Sequence, residues 1–302
     1  MRLTLRQLQV FIAVADHGST TAAGQAIALS QSASSAALQE LEAHFGTPLF
    51  DRVGRRLVLN GHGRALLAPA RALLVNAADL ERQLAAGSDP ASGGPLRLVL
   101  AASTTIGNYL LPARIAALLR RAPQAEVDLR IDNSAGVVAA VQRLEVDAGL
   151  IEGPCHERGL QVTPWQQDPL VVVAAADQPP RWSLDDLRGT RWLLREPGSG
   201  TREAVEQALL PHLHGFGQTL QLGNTEAIKQ AAIAGLGVAC LSRHALEEPL
   251  ALGRLRLLET PLPPLQRTLW LVRHPGKQWL PGLQALLGDA QVPGHAGSAG
   301  NA

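Results

Sequence analysis

The apolar positions of residues 5–45 recur at helical spacing. Leu5, Leu8, Phe11, Ile12 and Ala15 share one face, then Ala22, Ala23, Ala26 and Ile27, then Ala37, Leu38, Leu41 and Phe45. This spacing predicts three short helices. Gly18-Ser19-Thr20 separates the first two, with Ser19 or Thr20 as N-cap, and Leu29-Ser30-Gln31-Ser32 turns into the third. So tight a turn makes the second and third a helix-turn-helix candidate. After Gly46-Thr47-Pro48, residues 49–59 read as two short strands about a glycine turn carrying Arg52, Arg55 and Arg56, the shape of a wing. Beyond Gly61, the residues Leu66, Ala70, Leu73, Ala77, Leu80 and Leu84 alternate steps of four and three, a heptad seam too narrow for a globular core face. A helix there of about 26 residues is about 39 Å long and suits dimerisation. Gly87-Ser88-Asp89-Pro90-Ala91-Ser92-Gly93-Gly94-Pro95 ends it as a hinge.

From Leu96 the pattern changes to short apolar strands alternating with helices. Residues 96–101, 126–131 and 147–151 read as strands, with helices at 108–121 and 136–144, which predicts parallel βαβ units. A second set follows: strand 170–175, strand 191–195, helix 201–210, strand 219–222, helix 226–234 and strand 238–241. Strand 268–272 and helix 281–287 close the region. The expected fold is therefore an α+β multidomain chain. A winged head occupies residues 1–60 and a linker helix with hinge residues 61–89. A two-lobed α/β domain occupies residues 90–292, with one lobe at about 95–166 and 268–292 and the other at about 167–267. The Gly/Ala/Ser-rich tail, residues 293–302, is expected to be disordered.

A chain of 302 residues is comfortable for at least two cores, and 46% hydrophobic against 18% charged residues is a globular balance. A net charge of +1 means that any argument for a nucleic-acid partner must be local. No apolar run approaches the roughly 20 residues of a membrane span, and the opening Met-Arg-Leu-Thr-Leu-Arg-Gln leads into no secretory apolar segment, so a cytoplasmic protein is expected. Cys155 and Cys240 have no CxxC spacing, and the nine histidines have no HxH or HExxH spacing, so neither a disulfide framework nor a metal site is expected. Nothing resembles GxSxG or a complete dinucleotide loop, so no cofactor and no catalytic set is assigned. Cys240 reads as a small core residue. Cys155, beside His156 and Arg158, reads as the more reactive loop thiol.

The chemistry expected of the head is contact with double-stranded DNA. Gln31, Ser32, Ser34 and Ser35 in the first turn of the third helix offer small hydrogen-bonding side chains to a major groove, Gln31 and Ser35 foremost. Arg52, Arg55 and Arg56 on the wing suit phosphates, giving affinity and salt dependence more than sequence choice. Serines that merely cap a helix and arginines on a solvated turn would look the same in isolation.

In the α/β region two hydroxyl-rich turns each lie between a predicted strand and a predicted helix. Ala102-Ser103-Thr104-Thr105-Ile106-Gly107 is one, and Glu196-Pro197-Gly198-Ser199-Gly200-Thr201-Arg202 is the other. Backbone N–H groups and hydroxyls at helix starts suit an anion, and facing turns would grip it from both lobes. Asn133 and Glu152 follow the second and third strands and are expected at the same cleft. Glu152 would repel an anion unless protonated or paired, for instance with Arg202, or it selects a ligand with a donor group or orients a basic residue. Gly223-Asn224-Thr225-Glu226 opens a further helix and ranks lower, because capping alone explains it.

The run Ser30-Gln31-Ser32-Ala33-Ser34-Ser35-Ala36-Ala37-Leu38-Gln39-Glu40-Leu41-Glu42, then Gly46-Thr47-Pro48-Leu49-Phe50-Asp51-Arg52 and Leu59-Asn60-Gly61-His62-Gly63, resembles the LysR-type transcriptional regulators. The later lobes resemble that family's effector domain, of periplasmic-binding-protein type, so the likeness spans nearly the whole chain. The resemblance implies a homodimer or homotetramer of winged heads on linker helices, with a small molecule in the cleft changing the grip on promoter DNA. It also makes the turn at Ser103 to Thr105 an effector-binding element. The chain departs from the family pattern at Ser32, Ala36 and Asn60, where proline, a long polar residue and threonine are usual. The alternatives are a solute-binding protein or an enzyme acting on a small anion.

Overall fold

The computed structural model describes residues 3–54, 56–85, 96–277 and 279–288. Arg55, the expected hinge at 87–95 and the expected tail at 293–302 lie outside the described residues. Two compact units divide in the main between Gly94 and Pro95.

In the N-terminal unit, α1 (Leu5–His17) starts at a capping box. Thr4 Oγ1 accepts the Gln7 backbone N–H at 3.2 Å, and the Gln7 side chain accepts that of Thr4 at 3.0 Å. Helix α2 (Thr20–Ala26) is capped by Ser19, and α3 (Gln31–Phe45) by Ser30. Leu8, Phe11, Val14, Leu38 and Leu41 form the core expected from their spacing, joined by Leu49 and Phe50. Strands β1 (Phe50–Val53) and β2 (Arg56–Leu59) pair antiparallel as the wing, and the Leu57 N–H donates to the Gly18 carbonyl at 2.8 Å, fixing the wing to the end of α1. In α4 (Gly61–Ala85), Asn60 takes over the capping role, its Oδ1 accepting the Gly63 N–H at 2.9 Å. The heptad seam divides in two. Ala70 is buried, and Leu66 and Leu74 are partly buried against the head's own core, whereas Leu73 and Leu80 are 49% and 60% exposed.

The C-terminal unit opens with β3 (Arg97–Ser103), a π-helical turn (Ile106–Leu110), α5 (Leu111–Arg121), β4 (Glu126–Asp132), α6 (Ser134–Gln142) and β5 (Ala148–Glu152). β3 runs parallel to both β4 and β5, as the βαβ pattern requires. There follow β6 (Gln161–Ala175), α7 (Leu184–Gly189), β7 (Arg191–Arg195), α8 (Gly200–Leu213), β8 (Gln218–Leu222), α9 (Thr225–Ile233) and β9 (Ala239–Ser242). The unit ends with α10 (Glu247–Ala251), β10 (Leu255–Leu257), β11 (Leu265–Arg273) and α11 (Pro281–Leu287). One lobe packs around Leu98, Leu100, Ile106, Leu150 and Leu269, the other around Leu170, Trp192, Leu194, Val205 and Leu209.

The sheet is mixed, with the parallel βαβ strands extended by antiparallel ones for which the sequence pattern gave no direction. Its order is β10-β6-β11-β5-β3-β4, with β9 also on β6, and β11 is antiparallel to β5 and β6. β11 pairs with β6 from Gln161 to Leu170, and the pair feeds both lobe cores, Leu269 and Leu271 in one and Leu170 and Val172 in the other. The first nine residues of β6 escaped the sequence reading because Pro164, Gln166, Gln167, Asp168 and Pro169 break any apolar alternation. In the register of this pair, Asp168 lies opposite Arg267.

Candidate functional site

On the head, α3 presents Gln31 and Ser32 to solvent, with Ser35 half-buried. Among the described residues Gln31 Nε2 reaches Thr20 Oγ1, at a long 3.4 Å, and Ser32 Oγ lies 3.0 Å from Ser30 Oγ. Ser34 departs from the expected base-facing set. It is fully buried, and its Oγ donates to the Ser30 carbonyl at 3.1 Å. The cause is Gly24, where α2 approaches so closely that an added Cβ would meet Ser34 Oγ at 3.0 Å and the Leu29 carbonyl at 2.7 Å. Arg52 and Arg56 are exposed on the wing strands.

In the C-terminal unit the two hydroxyl turns do come together, and a side chain of the protein lies between them. Glu152, at the end of β5, is 1% exposed. Its Oε1 accepts the backbone N–H groups of Thr105 at 2.5 Å and Ile106 at 3.4 Å. Its Oε2 accepts the Thr201 hydroxyl and Arg267 Nη1, the latter at 3.2 Å. Arg267 also donates to Thr201 Oγ1 at 2.9 Å, Thr105 Oγ1 at 3.1 Å and Asp168 Oδ2 at 2.8 Å, and the Ser242 hydroxyl closes the network on Asp168 Oδ1 at 2.6 Å. Burial pushes the Glu152 pKa up. Arg267, the Thr201 hydroxyl, the Thr105 N–H and Ser103 outweigh it, and the carboxyl is held below its ordinary value of 4.5.

Glu152 is therefore paired with Arg267 and not with Arg202. Arg202 turns away to Glu206 at 2.8 Å, the Arg195 carbonyl and Gln221. Ser199 caps α8. At Gly200 the lobes touch backbone to backbone: a Cβ there would fall 1.2 Å from the Glu152 carbonyl oxygen and 2.5 Å from Ser134 Oγ. Asn133 caps α6 and its Nδ2 donates to Glu196 Oε1 at 3.2 Å, joining the lobes.

A second buried arginine went unnoticed in the sequence. Arg195, 3% exposed at the end of β7, donates to Thr104 Oγ1 at 3.1 Å and Thr225 Oγ1 at 3.2 Å, and clasps Glu196 with two bonds of 2.8 Å. Beside it, Lys229 Nζ lies 3.2 Å from Tyr109 Oη and 2.7 Å from Glu226, and the Tyr109 hydroxyl donates to Glu226. Burial and Glu226 raise the Tyr109 pKa, so the phenol stays protonated. Thr225 and Glu226, ranked low from sequence, thus belong to the interlobe contact.

Ser199, Gly200 and Arg202 line a separate open cavity of about 560 Å³ between α6 and α8, together with Cys155, His156 and Glu203. His156 and Glu203 pair there at 2.7 Å. Cys240 is buried, and burial pushes its thiol up to about 12, which suits an inert core residue. Among the described residues there is no His/Cys/Asp/Glu group able to hold a metal ion, and no helix is long and apolar enough to cross a membrane.

Residues 5–64 match the family model for bacterial regulatory helix-turn-helix proteins of the lysR family, and residues 91–290 match that for the LysR substrate binding domain. The chain is similar to the HTH-type transcriptional regulator YeiE of Escherichia coli strain K12, with 47% identity over 290 residues covering 95% of this chain and 97% of that one. Among solved structures it resembles full-length OxyR from Pseudomonas aeruginosa, with a TM-score of 0.70, 25% identity and coverage of 96% and 95%. It also resembles the Synechocystis PCC6803 CcmR regulatory domain in complex with 2-PG, with a TM-score of 0.58 and 31% identity over 65% of this chain and 97% of that one.

Proposed function

Since the chain belongs to the LysR family of bacterial transcriptional regulators, we propose that Gln31, Ser32 and Ser35 read promoter DNA, that Arg52, Arg55 and Arg56 hold its backbone, and that a small anion between the lobes changes this grip. The protein acts as a homodimer or homotetramer, with the exposed Leu73 and Leu80 of α4 buried against a second copy. Replacing both by Asp is expected to give monomers in sedimentation, and an unchanged oligomer would refute that role.

The observation that carries the effector reading is convergence. Backbone N–H groups at Thr105 and Ile106, the helix starts at Thr201 and Thr225, and the buried guanidinium groups of Arg195 and Arg267 meet between the lobes. Such donors recognise an oxyanion by charge-assisted hydrogen bonds. The 2-PG in the CcmR regulatory-domain complex is a small anion of this class. An anion that prefers one lobe arrangement shifts the population toward it, and linkage carries the shift to the heads. A solute-binding or enzymatic role is disfavoured by the winged head.

Thermal unfolding of the full chain against a panel of small oxyanions and carboxylates tests this. A specific anion is expected to stabilise it, by about 2.7 kcal/mol at a hundredfold excess over Kd, with the shift reduced in Ser103→Ala and Thr201→Ala. No shift with any anion overturns the anionic-effector reading.

A further inference from the structure

The seat between the lobes that suits an anion already holds one, and it belongs to the chain itself. An ionised carboxylate offers about four acceptor positions. In Glu152 they are taken by Thr105 N–H, Ile106 N–H, the Thr201 hydroxyl and Arg267. Nothing remains with which Glu152 could accept a donor group from a ligand, so selection of a donor-bearing ligand is not its role. The seat nevertheless has a donor to spare. Ser103 is buried at the end of β3, the strand hydrogen-bonded in parallel to the one that carries Glu152, and its Oγ makes no hydrogen bond among the described residues.

The strand that carries Glu152 is held independently of its carboxylate. The Glu152 carbonyl accepts Ser134 Oγ at 3.1 Å, and Gly153 (φ +91°) and Gly200 pack at this point. The side chain is thus a short tether on a fixed anchor. Arg267 keeps a second, fully buried carboxylate, Asp168, so its charge stays compensated when Glu152 leaves.

Resting on the anionic-effector reading above, we infer that Glu152 is a tethered substitute for the effector, which the diffusing anion must displace. A tethered group competes at an effective concentration on the order of millimolar or more, so it sets a threshold that weak anions do not cross. A ligand crosses it by using what a carboxylate leaves idle. That points to an oxyanion with three or more terminal oxygens, such as inorganic sulfate, inorganic phosphate or a phosphate monoester, which engages Ser103 as well. A simple carboxylate has no such advantage over Glu152. Glu152 is then a specificity-determining residue of the regulator.

The test is calorimetric titration of the full-length wild type and Glu152→Gln with inorganic sulfate, inorganic phosphate and acetate. The expected result is sulfate or phosphate binding about tenfold or more tighter in Glu152→Gln. In the same background, Ser103→Ala is expected to weaken the oxyanion and leave acetate unchanged, which a merely structural role for Glu152 would not produce. If the wild type binds an anion and Glu152→Gln binds it equally or more weakly, the substitute role is overturned while the effector reading survives. If neither protein binds any anion, the effector reading falls and takes the substitute role with it. Should Glu152→Gln fail to fold in anion-free buffer, refolding it with and without sulfate decides: recovery only with sulfate supports the displacement, and no recovery with sulfate overturns it.

Discussion

In the head, the polar side chains assigned to DNA stand in solvent: Gln31, Ser32, Arg52 and Arg56 are exposed and make few internal contacts. Between the lobes the polar side chains are consumed internally, with Glu152, Asp168, Arg267, Thr105 and Thr201 all buried and bonded to one another. Exposed groups cost nothing to hold ready, because water satisfies them until DNA replaces it. Buried groups are costly to leave unsatisfied, so a ligand site made of them is closed largely by the protein's own atoms in the free state, with the Ser103 hydroxyl left over. Substitutions should therefore lower binding without unfolding the head, and lower stability first in the cleft.

The largest effect expected is at Arg267. Replacing it by Met leaves Glu152 and Asp168 as adjacent buried carboxylates with no cation, a loss of about 3–5 kcal/mol measured by urea unfolding. A loss below about 1 kcal/mol would show that the network is more hydrated than its burial implies, and would remove the contrast with the head. Next comes Gln31→Ala, expected to lose about 1–3 kcal/mol of preference for the cognate site over random DNA with unchanged thermal stability. Arg56→Ala is expected to weaken all sequences alike and reduce the salt dependence by about one phosphate contact. Equal effects of Gln31→Ala and Arg56→Ala on cognate and random DNA would refute the division of roles.

How far each region could be read in advance follows from the range of its contacts. The head is built from neighbours: helix spacing, caps at Ser19 and Ser30, and a glycine wing turn are all visible within a few residues. Even so, Ser34 was misplaced, because its burial depends on Gly24 in the preceding helix and not on its own helix face. In the cleft, the strand-turn-helix wording around Ser103 and Ser199 marked the donors. The partner Arg267 was invisible, being 115 residues from Glu152 and lying mid-strand in Leu265–Arg273. The available signal was its strand neighbour: an arginine in β11 whose register partner in β6 is Asp168. That register could not be read while the start of β6 was missed. Arg195 and Lys229 had the same fault of distance, since Thr104 and Tyr109 reach them from the other lobe.

Ser34 allows the contrast to be tested inside the head. As a buried hydroxyl donating to the Ser30 carbonyl, it behaves like a cleft residue although it sits on the recognition helix. Ser34→Ala is expected to cost about 1 kcal/mol of stability and to leave the preference for cognate DNA intact. Loss of preference at unchanged stability would return Ser34 to the base-facing set.

At neutral pH the titration of the cleft has no effect on stability, and it appears only in acid with a fixed sign. The Glu152 carboxyl titrates below its ordinary value in the folded protein, so in the unfolded chain it binds its proton at higher pH. Its stabilising contribution is complete above about pH 4.5 and is lost progressively as pH falls from there through the folded-state value. Burial pushes Glu196 and Glu226 up, but Arg195 with Asn133 and Lys229 with Tyr109 outweigh it and hold them low, so a protein lacking the Glu152 carboxyl still keeps part of the acid limb. Glu152→Gln is therefore expected to flatten the fall in unfolding free energy below pH 4.5 by up to one proton, about 1.4 kcal/mol per pH unit, and to leave the slope between pH 6 and 8 unchanged. A variant whose acid limb matches the wild type would mean that Glu152 already takes up its proton at the pH of the unfolded chain. Its pairing with Arg267 and the surrounding donors would then only offset the cost of burying it, and the charge of this carboxylate would add nothing to the stability of the cleft.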